Sequence, residues 1–150
     1  RDDVFPHTEN HDQSFVLIPR YDVAASAGHG SMVNDEPSVG HYAFNKDWLR
    51  KRGLNPKNLS VISVRGNSME PDLYNGDLIL LNQDETTLEE GNIYAMRFSD
   101  GLFVKRVQHF PQGIIRLLSR NPHYHAVEIT NPQPENLNVI GRVVASMHEW

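Results

Sequence analysis

A chain of 150 residues with a hydrophobic fraction of 39% holds enough apolar material for one folded domain with a modest appendage, and too much for a disordered segment. It has no cysteine, which excludes disulfides, thiolate metal sites and a cysteine nucleophile, and fits a reducing cytoplasm. A formal net charge of −5 argues against a surface that grips nucleic-acid phosphates, and no apolar run approaches the roughly 20 residues of a membrane helix. The chain begins at Arg1 without an initiator Met, so it reads as a fragment or a processed product, from which a DNA-binding part can be missing.

Residues 1–14 are polar and aperiodic and read as a linker or tail, leaving 15–150 as the domain. Phe15–Pro19 is an apolar run closed by proline and predicts a first strand. Tyr21–Gly30, YDVAASAGHG, is conformationally loose and carries almost no side-chain bulk; Ser31–Gly40 reads as loop. Asn45–Arg52 predicts the one helix: Asn45 caps it, Asp47 sits in the first turn, basic residues fill the last turn and Gly53 stops it. Trp48 and Leu49 are expected to dock that helix on a sheet.

Seven further strands are predicted at 59–65, 77–81, 93–98, 102–109, 114–119, 126–129 and 139–147, separated by Asn-Gly-Asp, Ser-Asp-Gly, Pro-Gln-Gly and Asn-Pro turns. Many short strands at close spacing imply a mainly β, mostly antiparallel architecture, coiled or barrel-like, with one short helix.

Two places carry chemistry. In Val64-Arg65-Gly66-Asn67-Ser68-Met69, a strand runs into a glycine and then a serine in a tight turn. Gly66 permits a positive φ, and the turn aims successive N–H groups, those of Asn67 and Ser68, at one point, the geometry of an oxyanion hole. An ordinary turn serine has the same local pattern. In Leu102-Phe103-Val104-Lys105-Arg106-Val107, alternation puts Phe103, Lys105 and Val107 on one face. An amine there is desolvated, which lowers its pKa and suits it to act as a base; the competing reading is a surface lysine on an edge strand. Placed on a strand, His123 and His125 would share a face, but they lack a third ligand at a recognisable spacing, so no metal is expected. Asp84, Glu85, Glu89 and Glu90 read as solvated loop charge, and Asp77 as a turn-stabilising residue.

Taken in order, GNSMEPDLYNGDLILL, GNIYAMR, GLFVKRV, SRNPHYHAVEI and IGRVV resemble the LexA-like peptidase family of LexA, lambda-type phage repressors and related repair proteins, from about Pro19 to the end of the chain. The resemblance implies a serine–lysine dyad, Ser68 as nucleophile and Lys105 as general base, in a LexA-type fold that needs no cofactor. It also implies self-cleavage at an upstream Ala–Gly bond, which here is Ala27–Gly28, within a cleavage loop spanning 21–40. The turn Asn121-Pro122-His123-Tyr124 packs near the site in that family. Further implications are a homodimer, with 139–147 in its surface, and stimulation by activated RecA filament in the DNA-damage response. DNA binding would fall to the missing N-terminal part. The alternative is a repressor module of the same fold that dimerises without cutting. A signal-peptidase relative, with similar chemistry, would carry a membrane anchor, and none is visible.

Overall fold

The computed structural model describes residues 14–22, 38–99, 101–130 and 133–150. Nine strands form one sheet: β1 (Phe15–Tyr21), β2 (Ser38–Asn45), β3 (Leu59–Ser63), β4 (Leu78–Asn82), β5 (Ile93–Phe98), β6 (Gly101–Phe110), β7 (Ile114–Leu118), β8 (Val127–Ile129) and β9 (Leu137–Met147). Their order across the sheet is β2-β1-β3-β4-β9-β5-β6-β7-β8. Every pairing is antiparallel except β1 with β3, whose register joins Arg20 to Val61. The fold is therefore mainly β with a single short helix, of the LexA type the resemblance implies.

That helix, α1 (Lys46–Lys51), sits where its end signals place it. The Asn45 Oδ1 accepts from the Trp48 N–H at 3.0 Å, Asp47 lies in the first turn, and Arg50 and Lys51 lie in the last. Six residues make a helix too short to persist alone, so docking sustains it. Leu49 supplies the dock, buried with Ile18, Leu54, Leu59, Val61 and Leu80.

The predicted strands occur within a residue or two of their expected ends, and one strand was not expected. The loop reading of Ser31–Gly40 is corrected at its far end, because Ser38–Gly40 opens β2. This strand is the outer edge of the sheet, and Val39 and Ala43 on it face outward with polar neighbours. Only Tyr42 and Phe44 turn partly toward the core, too few apolar positions for a clear period-2 signal.

The central strands show the opposite pattern. β3, β4 and β5 are buried almost continuously, because the coiled sheet covers both of their faces. Ile62, Ile79, Leu81, Ala95 and Ile140 point into one cluster, whereas Tyr94, Met96, Val107, Leu117 and Val139 point into another. β9 pairs with β4 on one side and β5 on the other, and so joins the two halves. Gly141 lies at that seam. A Cβ there would stand 2.6 Å from the Asn82 carbonyl oxygen, so only glycine lets the backbones meet.

Candidate active site

The turn carrying Ser68 leaves the end of β3 and is fastened before it reaches the serine. The Val64 N–H donates to the Asp77 carbonyl, and the Gly76 N–H donates back to Val64, each at 2.8 Å. Gly66 takes a φ of 82°, a left-handed conformation, and its N–H donates to Asn75 Oδ1 at 2.9 Å. Past the serine, Met69 and Leu73 are buried in the core cluster that holds Ile62 and Ile79. The turn is thus pinned below by apolar side chains, and Ser68 is left half-buried at its crest. Among the described residues, neither the Asn67 nor the Ser68 backbone N–H donates to another group.

Asp77 organises the following turn, as its position suggests. It is buried, one oxygen accepts from the Tyr74 N–H at 2.8 Å, and the other meets His148 Nδ1 at 2.5 Å.

Lys105 lies on β6, opposite Tyr94 of β5. Burial along this face deepens away from the cleft: Phe103 is 41% exposed, Lys105 8% and Val107 1%. Burial pushes the Lys105 amine below its ordinary value of 10.5, because the charged form loses hydration. The rings of Phe103 and Tyr124 each stand with their centroids 5.7 Å from Nζ, within cation–π range, and partly compensate the ammonium. The amine donates to Ser119 Oγ at 2.5 Å, and it makes no hydrogen bond to Ser68.

Ser68, Asn67 and Lys105 line a single cleft of about 450 Å³, with Gly66, Phe103 and Tyr124 beside them. Its walls are the end of β3 and the turn beyond it on one side, and the start of β6 on the other. Ala27 and Gly28, the expected scissile pair, lie outside the described residues.

Several groups around the cleft escape a reading of the residues alone. Ser119 was expected only as a strand end. Its place follows only from the strand register: β6 and β7 pair with Arg106 opposite Leu118, so one further step sets Ser119 opposite Lys105. Asp72, four residues past the serine, forms ion pairs with Arg106 at 3.6 Å and Arg120 at 3.3 Å. Asn121 and Tyr124 reach across to the serine turn, consistent with the turn expected near the site. The Asn121 N–H donates to the Ser68 carbonyl at 2.9 Å, its Nδ2 to the Asn67 carbonyl at 3.1 Å, and the Tyr124 hydroxyl to Asn67 Oδ1 at 2.6 Å.

The chain's relatives bear on what such a cleft is for. A family described as Peptidase S24-like matches residues 19–144. An uncharacterized HTH-type transcriptional regulator of Haemophilus influenzae is 29% identical over 140 residues, covering 91% of this chain and 58% of the relative. The HTH-type transcriptional regulator PrtR of Pseudomonas aeruginosa is 33% identical over 123 residues, covering 81% and 48%. The 26 kDa repressor protein of Escherichia phage HK022 is 28% identical over 144 residues, covering 91% and 61%. The chain therefore spans about half to three-fifths of the length of these relatives.

Proposed function

Because this chain belongs to the Peptidase S24-like family, we propose that it is the regulatory part of a transcriptional repressor, and that it cuts its own backbone between Ala27 and Gly28. The observation that carries this reading is the cleft, in which a half-buried serine on a glycine-initiated turn shares one space with a desolvated lysine.

The chemistry follows from those groups. Neutral Lys105 takes the Ser68 hydroxyl proton as Oγ attacks the Ala27 carbonyl carbon. The Asn67 and Ser68 N–H groups, without partners in the described chain, receive the oxyanion. The lysine, now an ammonium, returns its proton to the Gly28 nitrogen as the peptide bond breaks. Water then attacks the Ala27 ester, Lys105 accepts its proton, and transfer of that proton to Ser68 frees the serine. No third residue is required, since serine–lysine pairs run the same cycle as the triad. In the first step Lys105 keeps an N–H on Ser119 Oγ and turns its lone pair toward the Ser68 hydroxyl.

The scissile segment is expected to enter as an extended strand, and the small side chains of Ala25, Ser26, Ala27 and Gly28 suit a narrow trough. Delivery by the same chain substitutes effective concentration for affinity. On this reading, self-association supplies the paired form that a repressor needs, activated RecA filament stimulates cutting, and DNA is held by a portion preceding this chain. Among the described residues no helix is long and apolar enough to cross a membrane.

The test is incubation of the pure chain from about pH 7 to about pH 10, followed by mass spectrometry. Fragments ending at Ala27 and starting at Gly28 are expected, faster as the amine is deprotonated, and absent from Ser68→Ala. A rate that is flat or falling over that range removes Lys105 as base. An intact chain at every pH leaves a repressor module that associates without cutting.

A further inference from the structure

One short segment touches both halves of the dyad. It starts at Ser119, which takes a hydrogen bond from Lys105 Nζ at 2.5 Å. Its next residue, Arg120, pairs with Asp72 at the far end of the serine turn. Asn121 and Tyr124 then grip the near end, at the Asn67 and Ser68 carbonyls and at Asn67 Oδ1. The segment holds its own shape as well: the His123 N–H donates to Asn121 Oδ1 at 3.0 Å and the Tyr124 N–H to the Asn121 carbonyl at 3.1 Å.

The geometry points to Ser119–Tyr124 as a bracket that positions base and nucleophile relative to one another, with Ser119 orienting the Lys105 amine and Asn121 and Tyr124 orienting the Asn67–Ser68 peptide. This rests on the self-cleavage reading and names the residues that make that site work.

For the base, the argument is rotational. A neutral amine has two N–H groups and one lone pair. With one N–H committed to Ser119 Oγ, rotation about the last bond is arrested, and the lone pair is left to point into the cleft. An unanchored amine on a four-carbon stem loses most of that advantage to rotamer freedom. The same hydroxyl oxygen favours the ammonium, and so opposes the effect of burial. For the oxyanion side, the argument is planarity. The Asn67 carbonyl and the Ser68 N–H belong to one rigid peptide unit. Asn121 Nδ2 on that carbonyl therefore fixes the direction of the Ser68 N–H, and Tyr124 fixes the Asn67 side chain.

Two readouts test this. In a Ser68→Ala chain, the Lys105 amine is titrated by NMR through its side-chain methylene shifts. Adding Ser119→Ala should lower the midpoint by roughly half to one pH unit, the worth of one hydrogen bond. Ser119→Thr should leave it in place. In the chain with Ser68, Ser119→Ala should cut the alkaline plateau of the self-cleavage rate about tenfold or more and move its rising limb to lower pH, with Ser119→Thr restoring both. Tyr124→Phe should lower the plateau without moving the limb. An unchanged Lys105 midpoint together with an undiminished plateau in Ser119→Ala overturns the bracket. A midpoint that responds to Ser119→Ala in a chain that never cuts supports the Ser119 arm and removes the self-cleavage reading instead.

Discussion

Lys105 is held at a cost to the fold. Its amine titrates below 10.5 in the folded chain because burial disfavours the charge, so the unfolded chain binds the proton more readily. The penalty is present in full below the folded value and fades as pH rises from there toward the unfolded one. Lys105→Met keeps the length of the side chain and removes the charge, and the half-buried Ser119 hydroxyl can turn to water. The variant should therefore melt higher than the parent at neutral pH, by on the order of a few degrees. The gain should shrink toward pH 10.5, as followed by thermal unfolding across pH. A gain constant with pH would mean that packing rather than charge sets the difference. The burial of this residue was legible because alternation along β6 set it beside Val107. The positive φ of Gly66 was legible too, since a strand that ends in Gly-x-Ser has few other ways to turn. Ser119 was not, because nothing about a serine after Leu118 marks it until strand pairing sets it opposite a lysine.

Among the elements, legibility followed the number of covered faces. α1 announced itself through its ends: Asn45, Asp47, Arg50 and Lys51 are local signals that need no tertiary partner. β3, β4 and β5 announced themselves as short, mostly apolar runs, broken only by Ser60 and Arg97 before their ends. β2 did neither, since it is an edge strand whose partner β1 supplies its hydrogen bonds and whose outer face meets water. The most exacting element is β9, which serves both halves. Gly141→Ala there would drive a methyl into the Asn82 carbonyl, against the Asn82–Gln83 backbone with no flexible side chain to yield. Overpacking of this kind costs about 1–3 kcal/mol. A lower urea midpoint at unchanged slope is the expected result, and a midpoint like the parent's would show that β4 and β9 separate more easily than their pairing implies.

At the scale of the whole molecule, β1 and β2 form a two-stranded flap on one end of the sheet, attached to the rest through the short parallel pairing of β1 with β3 and through the apolar cluster of Ile18, Leu49 and Val61. The Ala27–Gly28 bond falls in the connection between those two strands. On the self-cleavage proposed above, scission there would sever the covalent link but leave seven residues of β1 paired along β2 and Ile18 still seated in the core. The two products are therefore expected to travel together on size-exclusion chromatography after the mass spectrum shows complete cutting, and to part only in mild denaturant. Fragments that separate at once would mean that the flap contributes little holding energy. A nick in this position would behave as a timer rather than a switch: the bond-breaking step would arm the event, and the unzipping of one strand would decide when its two ends cease to act as one body.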